Sequence, residues 1–324
     1  MDQSAIEAFS PAVKAGIFGR LGVVADKTTD LGGFESFVFL RQDTNTILRI
    51  THVGHRTRDE LLGEVEFVHF LARGNASVCL PVYPDGESLA VEIGDFIVTE
   101  FQRAPGQTIT HTDWQPVLFE EWGRSLGQFH RLAKTYVPGS PAWRRQDWHT
   151  DPNFNFEGRL PADQPGVLAM GQRYRGMLEH LVTDTSTYGL IHGDAHAGNF
   201  FHDNGRLTFF DFDDCGYCWF GYDAATVLFS AVFQPWIENS EAGRHQAAED
   251  FLLPFLTGYE RESSVDGLLL GDFPLFLKVR ELSLYGVIHS FLDVNQLDDY
   301  PARFMAGRQE RIERDLPFLE LDFL

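Results

Sequence analysis

The chain has 324 residues, 44% hydrophobic and 14% aromatic, enough for a packed core in one large domain or two ordinary ones. Forty-seven acidic residues against 26 basic ones leave a formal net charge of −21, which repels nucleic acid and anionic lipid and favours cationic partners. No stretch approaches the roughly 18 consecutive apolar residues of a membrane helix, and the opening MDQSAIEAF lacks the basic start of an export signal. The three cysteines, Cys79, Cys215 and Cys218, are too few and odd in number for a disulfide framework, so a reducing, cytoplasmic setting is expected. Cys215 and Cys218 form one C-x-x-C with no second pair to complete a zinc site.

No internal repeat is present, and the organisation shows as a change of period along the chain. Residues 5–20 read as a helix. FESFVFL (34–40), TILRIT (46–51), SLAVEI (88–93) and FIVTEF (96–101) are short and rich in β-branched or aromatic residues, the pattern of antiparallel strands. Among them, RDELLGEVEFVHFLARG places Leu61, Val65, Val68 and Ala72 on one helical stripe and stops at Gly74. Beyond a Pro/Gly connection at 102–107 the chain becomes mainly helical, in segments such as WQPVLFEEWGRSLGQFHRLA and FPLFLKVRELSLYGVIHSFL. The expected architecture is α+β and two-lobed. Residues 1–101 form a small lobe, a five-stranded antiparallel sheet with one helix, and residues 102–324 form a large helical lobe.

The chemistry concentrates in LIHGDAHAGNFF (190–201) and FFDFDDCG (209–216). His192 and His196, four apart, could share a helix face and bind zinc, but Gly193, Asp194 and Gly198 favour a loop. A loop serving structure alone is a second possibility. The spacing supports a third. Asp194 and Asn199 are five positions apart, and Asp211 follows twelve further on after the strand-like run RLTFF. Phosphoryl transfer uses this set: a carboxylate for the acceptor hydroxyl, then an amide and a second carboxylate offering hard oxygens to Mg²⁺. D-x-x-x-x-N followed by D-F is also the spacing of the protein-kinase signatures.

With these residues in view, HGDAHAGNFF…FFDFDD resembles the catalytic-loop and metal motifs of the aminoglycoside phosphotransferase / choline kinase family. HAGN and DFDD are closest in wording to homoserine kinase type II-like proteins and the bacterial stress-response kinase. The resemblance spans roughly residues 30–230 and implies a protein-kinase-like fold with ATP and Mg²⁺ as cofactors. It assigns Asp194 to the acceptor hydroxyl as catalytic base or orienting carboxylate, and Asn199 and Asp211 to the metal. Arg49 would hold the phosphates and Glu64 would pair with it, at a strand position where many relatives carry lysine. Gly33 to Ser36 would cover the phosphates, although GGFES departs from G-x-G-x-x-G. The backbone of Glu100 and Phe101 would meet adenine. Asp213 and Asp214 would assist the metal or brace the loop, and Asp223 would cap a helix or anchor the loop.

The implied activity is phosphorylation of a hydroxyl on a small acceptor. The acidic composition favours a cationic, amine-bearing one, for which Glu281, Asp293, Asp298 and Asp299 of the helical lobe are candidate contacts. A protein Ser/Thr kinase of the stress-response type and a catalytically silent nucleotide-binding module are the alternatives.

Overall fold

Period-two alternation in the first hundred residues produces one antiparallel sheet. The computed structural model of the protein, described over residues 3–321, contains β1 (Thr28–Gly32), β2 (Phe37–Arg41), β3 (Thr46–His52), β4 (Pro81–Val82), β5 (Val91–Ile93) and β6 (Phe96–Gln102). They run in the order β1-β2-β3-β6-β4, with β5 also paired to β6. The sheet therefore has six strands where the sequence suggests five. Two strands have no counterpart among the four segments read from the sequence: β4, only two residues long, and β1, TTDLG, an edge strand with four exposed residues and no apolar alternation.

Helices α1 (Gln3–Ala8) and α2 (Pro11–Leu21) precede the sheet, and Arg58–Arg73 forms α3. Ser10 caps α2 with Pro11 at the first helical position, and Thr57 and Glu60 close a capping box on α3. Ile17, Phe18 and Leu21 of α2 bury against Phe39, Leu48, Ile50, Phe96 and Val98, whereas Leu61, Leu62 and Val65 of α3 pack with Ala90 and Ile97. Side chains alternate along a strand, so Leu48 and Ile50 on the α2 face put Arg49 on the α3 face.

The chain divides into two compact units. The first is the chain through Pro105 with Tyr136–Arg145 and Thr208–Asp213; the second is Gly106–Thr135, Gln146–Leu207 and the chain from Asp214 onward. The two inserted pieces have local reasons. Glu66 of α3 accepts from the Tyr136 hydroxyl and the Gly139 N–H, both at 2.9 Å. Phe209 bonds through its backbone to Ser77 and Cys79 at 2.9 and 2.8 Å. That second tether carries Asp211 into the unit of Arg49.

The second unit is helical: α4 (Pro116–Ala133), α5 (Phe156–Arg159), α6 (Pro165–Leu178), α7 (Phe220–Ala231), α8 (Glu241–Glu260), α9 (Phe273–Phe291), α10 (Asp299–Met305) and α11 (Arg308–Glu313). Its strands β7 (Tyr188–Ile191) and β10 (Gly216–Trp219) pair antiparallel, and β8 (Phe200–Asp203) forms a hairpin with β9 (Arg206–Phe209), whose last two residues belong to the first unit. Trp122 of α4 packs edge-on against Phe251 of α8 with ring centroids 5.6 Å apart, and α7 is buried along nearly its whole length. Among the described residues no helix is long and apolar enough to cross a membrane.

Candidate active site

In the first unit Arg49 and Glu64 form a buried two-pronged pair. Arg49 Nη1 lies 2.9 Å from Glu64 Oε1, and Nη2 bonds the other carboxylate oxygen. Arg49 also donates to the Thr99 hydroxyl at 3.3 Å, lies over the Phe101 ring at 5.2 Å, and sits 3.7 Å from Asp211. Burial alone would lower the Arg49 pKa, but Glu64, Asp213 and Asp211 outweigh it and hold the guanidinium charged. Arg49 thus links α3 to the segment carrying Asp211, whose backbone is left-handed at φ 63° and whose side chain is 54% exposed.

Residues 33–36 form the turn between β1 and β2. Gly33 has φ 144°, and a Cβ there would come within 2.0 Å of the Ser36 carbonyl oxygen, so only glycine fits. The Ser36 hydroxyl is buried and bonded to Thr51 at 2.8 Å, which fixes the turn to β3.

The adenine contact expected at Glu100 and Phe101 is corrected by the sheet. Glu100 stands between Leu48 of β3 and Val82 of β4, and Phe101 between Ile47 and Pro81. In a strand flanked on both sides every backbone N–H and C=O points at a neighbouring strand. Their side chains are also engaged, Glu100 with Arg41 at 3.1 Å and Thr46, and Phe101 with Arg49. The first backbone groups past this ladder belong to the segment that follows Gln102.

Asp213 belongs to the first unit and is structural in its contacts. Its carboxylate meets His55 Nε2 at 2.9 Å and Arg56 Nε at 3.2 Å, and its carbonyl accepts from Arg145 at 2.6 Å. Although burial would raise it, the Arg56 and Arg49 guanidiniums and the hydrogen bond with His55 hold its carboxyl well below the usual range.

In the second unit β7 delivers the chain into the loop 192–199. Gly193 takes φ 85°, and a Cβ there would come 2.3 Å from the Asp214 carbonyl oxygen. Asp223, fully buried at the start of α7, accepts the N–H groups of His192 and Gly193, each at 3.1 Å, and a bond from His130 at 3.1 Å. Trp122 donates to the Ala195 carbonyl at 3.2 Å, and the Ala197 N–H reaches the Ser230 hydroxyl at 3.3 Å. These bonds hold the loop rigid. On it, Asn199 Nδ2 donates to the Asp194 carbonyl at 2.9 Å and to Asp194 Oδ2 at 3.3 Å. The Asn199 amide is thereby oriented with its nitrogen toward Asp194 and its oxygen to the other side.

The zinc reading of the two histidines finds no support in this geometry. His192 Nδ1 accepts the Asp194 N–H at 3.3 Å, and His196 is tied to the Gly198 N–H at 2.8 Å and to Asp194 Oδ2 at 3.2 Å. Among the described residues the group of three metal-capable side chains that lies within reach is Glu35, His55 and Asp213, and it includes neither histidine. All three cysteines are buried free thiols.

Beside the loop the second unit has a small recess. Its walls include Trp148, Asp151, Phe154, Asp214, Tyr222 and Arg280, with Gly193 at its edge. Glu281 is not part of it, being fully buried between Lys278 at 2.6 Å and Arg308 at 2.5 Å, and Asp293, Asp298 and Asp299 do not line it. Arg280 is the residue the sequence did not announce. From α9 its Nη2 lies 2.5 Å from Asp194 Oδ1, a pairing across 86 residues with no local signature.

The sheet-bearing unit with its Arg49–Glu64 pair and the helical unit with its D-x-x-x-x-N loop define a kinase-like phosphotransferase. Residues 28–262 match the Phosphotransferase enzyme family, and the chain belongs to that family. It is 32% identical over 316 residues to the amicoumacin kinase of Bacillus subtilis (strain 168), covering 94% of this chain and 92% of that one. Among solved structures it resembles amicoumacin kinase hAmiN in complex with AMP-PNP, Ca²⁺ and Ami, with TM-score 0.91 and 28% identity over 99% of both chains. A microcompartment-associated aminopropanol kinase shares the fold, with TM-score 0.70 and 20% identity over 95% of this chain and 98% of the other.

Proposed function

We propose that the protein transfers the γ-phosphoryl group of ATP to a hydroxyl of a small amine-bearing molecule. The observation that carries this reading is the recess beside the catalytic loop, lined by the carboxylates Asp151 and Asp214 together with Trp148, Phe154 and Tyr222, with Arg280 on the same wall. Carboxylates beside aromatic faces suit an ammonium group. The relation to two amicoumacin kinases over nearly the whole chain supports a small-molecule acceptor over a protein substrate and makes amicoumacin the first acceptor to test.

Asp194 accepts the hydrogen bond of the acceptor hydroxyl and orients it. The hydroxyl oxygen forms a bond to the γ-phosphorus, the bond from that phosphorus to the β-phosphate bridging oxygen breaks, ADP leaves with the electron pair, and the hydroxyl proton passes by way of Asp194 to water. Arg49, kept charged and aligned by Glu64, binds the phosphates. Asn199, through its oriented amide oxygen, and Asp211, through its exposed carboxylate, each offer a hard oxygen suited to Mg²⁺. When bound, the metal neutralises phosphate charge. Backbone groups following Gln102 meet adenine.

The test is ADP release by purified protein with ATP and Mg²⁺ over a panel of amicoumacin, amino alcohols, aminoglycosides, neutral sugars and generic protein substrates, with product mass. Acceptor-dependent ADP release and a phosphorylated amine-bearing product are expected. Stimulation only by protein substrates or neutral sugars would contradict the reading.

A further inference from the structure

Asp194 is approached by three side-chain groups. Arg280 Nη2 holds Oδ1 at 2.5 Å, while His196 Nε2 and Asn199 Nδ2 lie on Oδ2 at 3.2 and 3.3 Å. The latter two belong to the loop itself; Arg280 comes from the middle of α9. It does not anchor the loop backbone, which Asp223, Trp122 and Ser230 already fix. It reaches instead for the one carboxylate of the loop, and it also meets the Tyr222 hydroxyl. Asp194 and Arg280 are 22% and 17% exposed, and Arg280 Nε is buried with no protein acceptor, an arrangement that costs stability. Asp194 leads the charges that keep Arg280 protonated against burial.

We propose that Arg280 is a positioning residue of the phosphotransfer: it grips Oδ1 so that, with Oδ2 tethered by Asn199 and His196, the plane of the Asp194 carboxylate is fixed toward the acceptor hydroxyl. A carboxylate offers about four lone-pair directions. Three are occupied in this arrangement, and the remaining one selects where the hydroxyl sits. The inference rests on the assignment of Asp194 to that hydroxyl.

The experiment is a double-mutant cycle of Asp194→Asn and Arg280→Ala, reading kcat with the acceptor found above, nucleotide Kd and thermal midpoint. Misplacement of a reacting group by about 1 Å costs on the order of 10²-fold in rate, so Arg280→Ala should lose ~10²-fold in kcat with nucleotide Kd nearly unchanged. Because Arg280 acts through Asp194, the double variant should be no slower than Asp194→Asn. Added guanidinium at low concentration should restore part of the rate in Arg280→Ala, not in the double variant, and sodium chloride should not substitute for it. Arg280→Lys, which keeps the charge without the planar fork, should fall between wild type and Arg280→Ala, and it carries the cycle if the alanine variant does not fold. Losses that multiply in the double variant, or wild-type kcat in Arg280→Ala, would overturn the inference while leaving Asp194 in place. Wild-type turnover in Asp194→Asn would instead remove the Asp194 assignment and the inference with it.

Discussion

Arg49 on β3 and Glu64 on α3 meet as a two-pronged ion pair inside the first unit, and the same guanidinium stands 3.7 Å from Asp211. One arginine therefore reads both the position of α3 and that of the metal-motif segment. Glu64 is 1% exposed, so removing it leaves a buried guanidinium whose remaining carboxylate neighbours are more distant. Stranding one partner of a buried pair costs about 3–5 kcal/mol.

Glu64→Ala is expected to lower unfolding free energy by that amount and to weaken nucleotide binding together with it. Denaturant titration and calorimetry with an ATP analogue measure the two. Unchanged values of both would mean that the pair contributes neither to the fold nor to phosphate binding.

The turn at Gly33 provides a second test. At Gly33 a Cβ meets the Ser36 carbonyl oxygen, whereas at Gly32, φ 77°, a Cβ meets nothing within 4 Å. Gly32→Ala should cost only the left-handed backbone penalty, about 1–2 kcal/mol. Gly33→Ala should displace the turn and raise nucleotide Kd well beyond any change seen in Gly32→Ala. Equal nucleotide affinity in the two variants would show that the turn does not cover phosphate.

Much of this was legible from local pattern. The pairing of Arg49 with Glu64 was implied by the family resemblance, and the two residues do meet. The loop could be read because D-x-x-x-x-N and D-F are short-range spacings. What was missed depends on long-range placement. β1 is an exposed edge strand with no alternation to detect, and the Glu100–Phe101 assignment failed because β4, only two residues long, completes the ladder beside them. Arg280 and Glu281 are adjacent in sequence, yet one reaches Asp194 and the other a buried cluster of cations. No composition or spacing rule separates them.

The anchor of the catalytic loop gives a pH dependence. Burial lowers the His130 pKa below its ordinary 6.5, although its bond to Asp223 opposes the shift. Below pH 6.5 the unfolded chain takes up a proton that the folded one refuses, so stability fully present above that pH is lost as pH falls toward the folded pKa. Unfolding midpoints should therefore decline as pH falls below 6.5, and His130→Gln should flatten part of that decline. An identical slope in the variant would mean that His130 is not among the groups responsible.

The measurement that bears most directly on the phosphotransferase assignment compares Asp194→Asn with Asp211→Ala. Asp194 is assigned to the acceptor and Asp211 to the metal, so the two variants should fail in different ways. Loss of a positioned proton acceptor reduces rate by ~10²–10⁴-fold, and Asp194→Asn should lose turnover on that scale while Mg²⁺–nucleotide affinity, followed by calorimetry, stays within a few-fold of wild type. Asp211→Ala should lose both, and chelation of divalent metal should reproduce its binding defect in the wild-type protein. Wild-type turnover in Asp194→Asn, or undiminished Mg²⁺-dependent nucleotide binding in Asp211→Ala, would contradict the assignment of HGDAHAGN and DFDD to phosphoryl transfer.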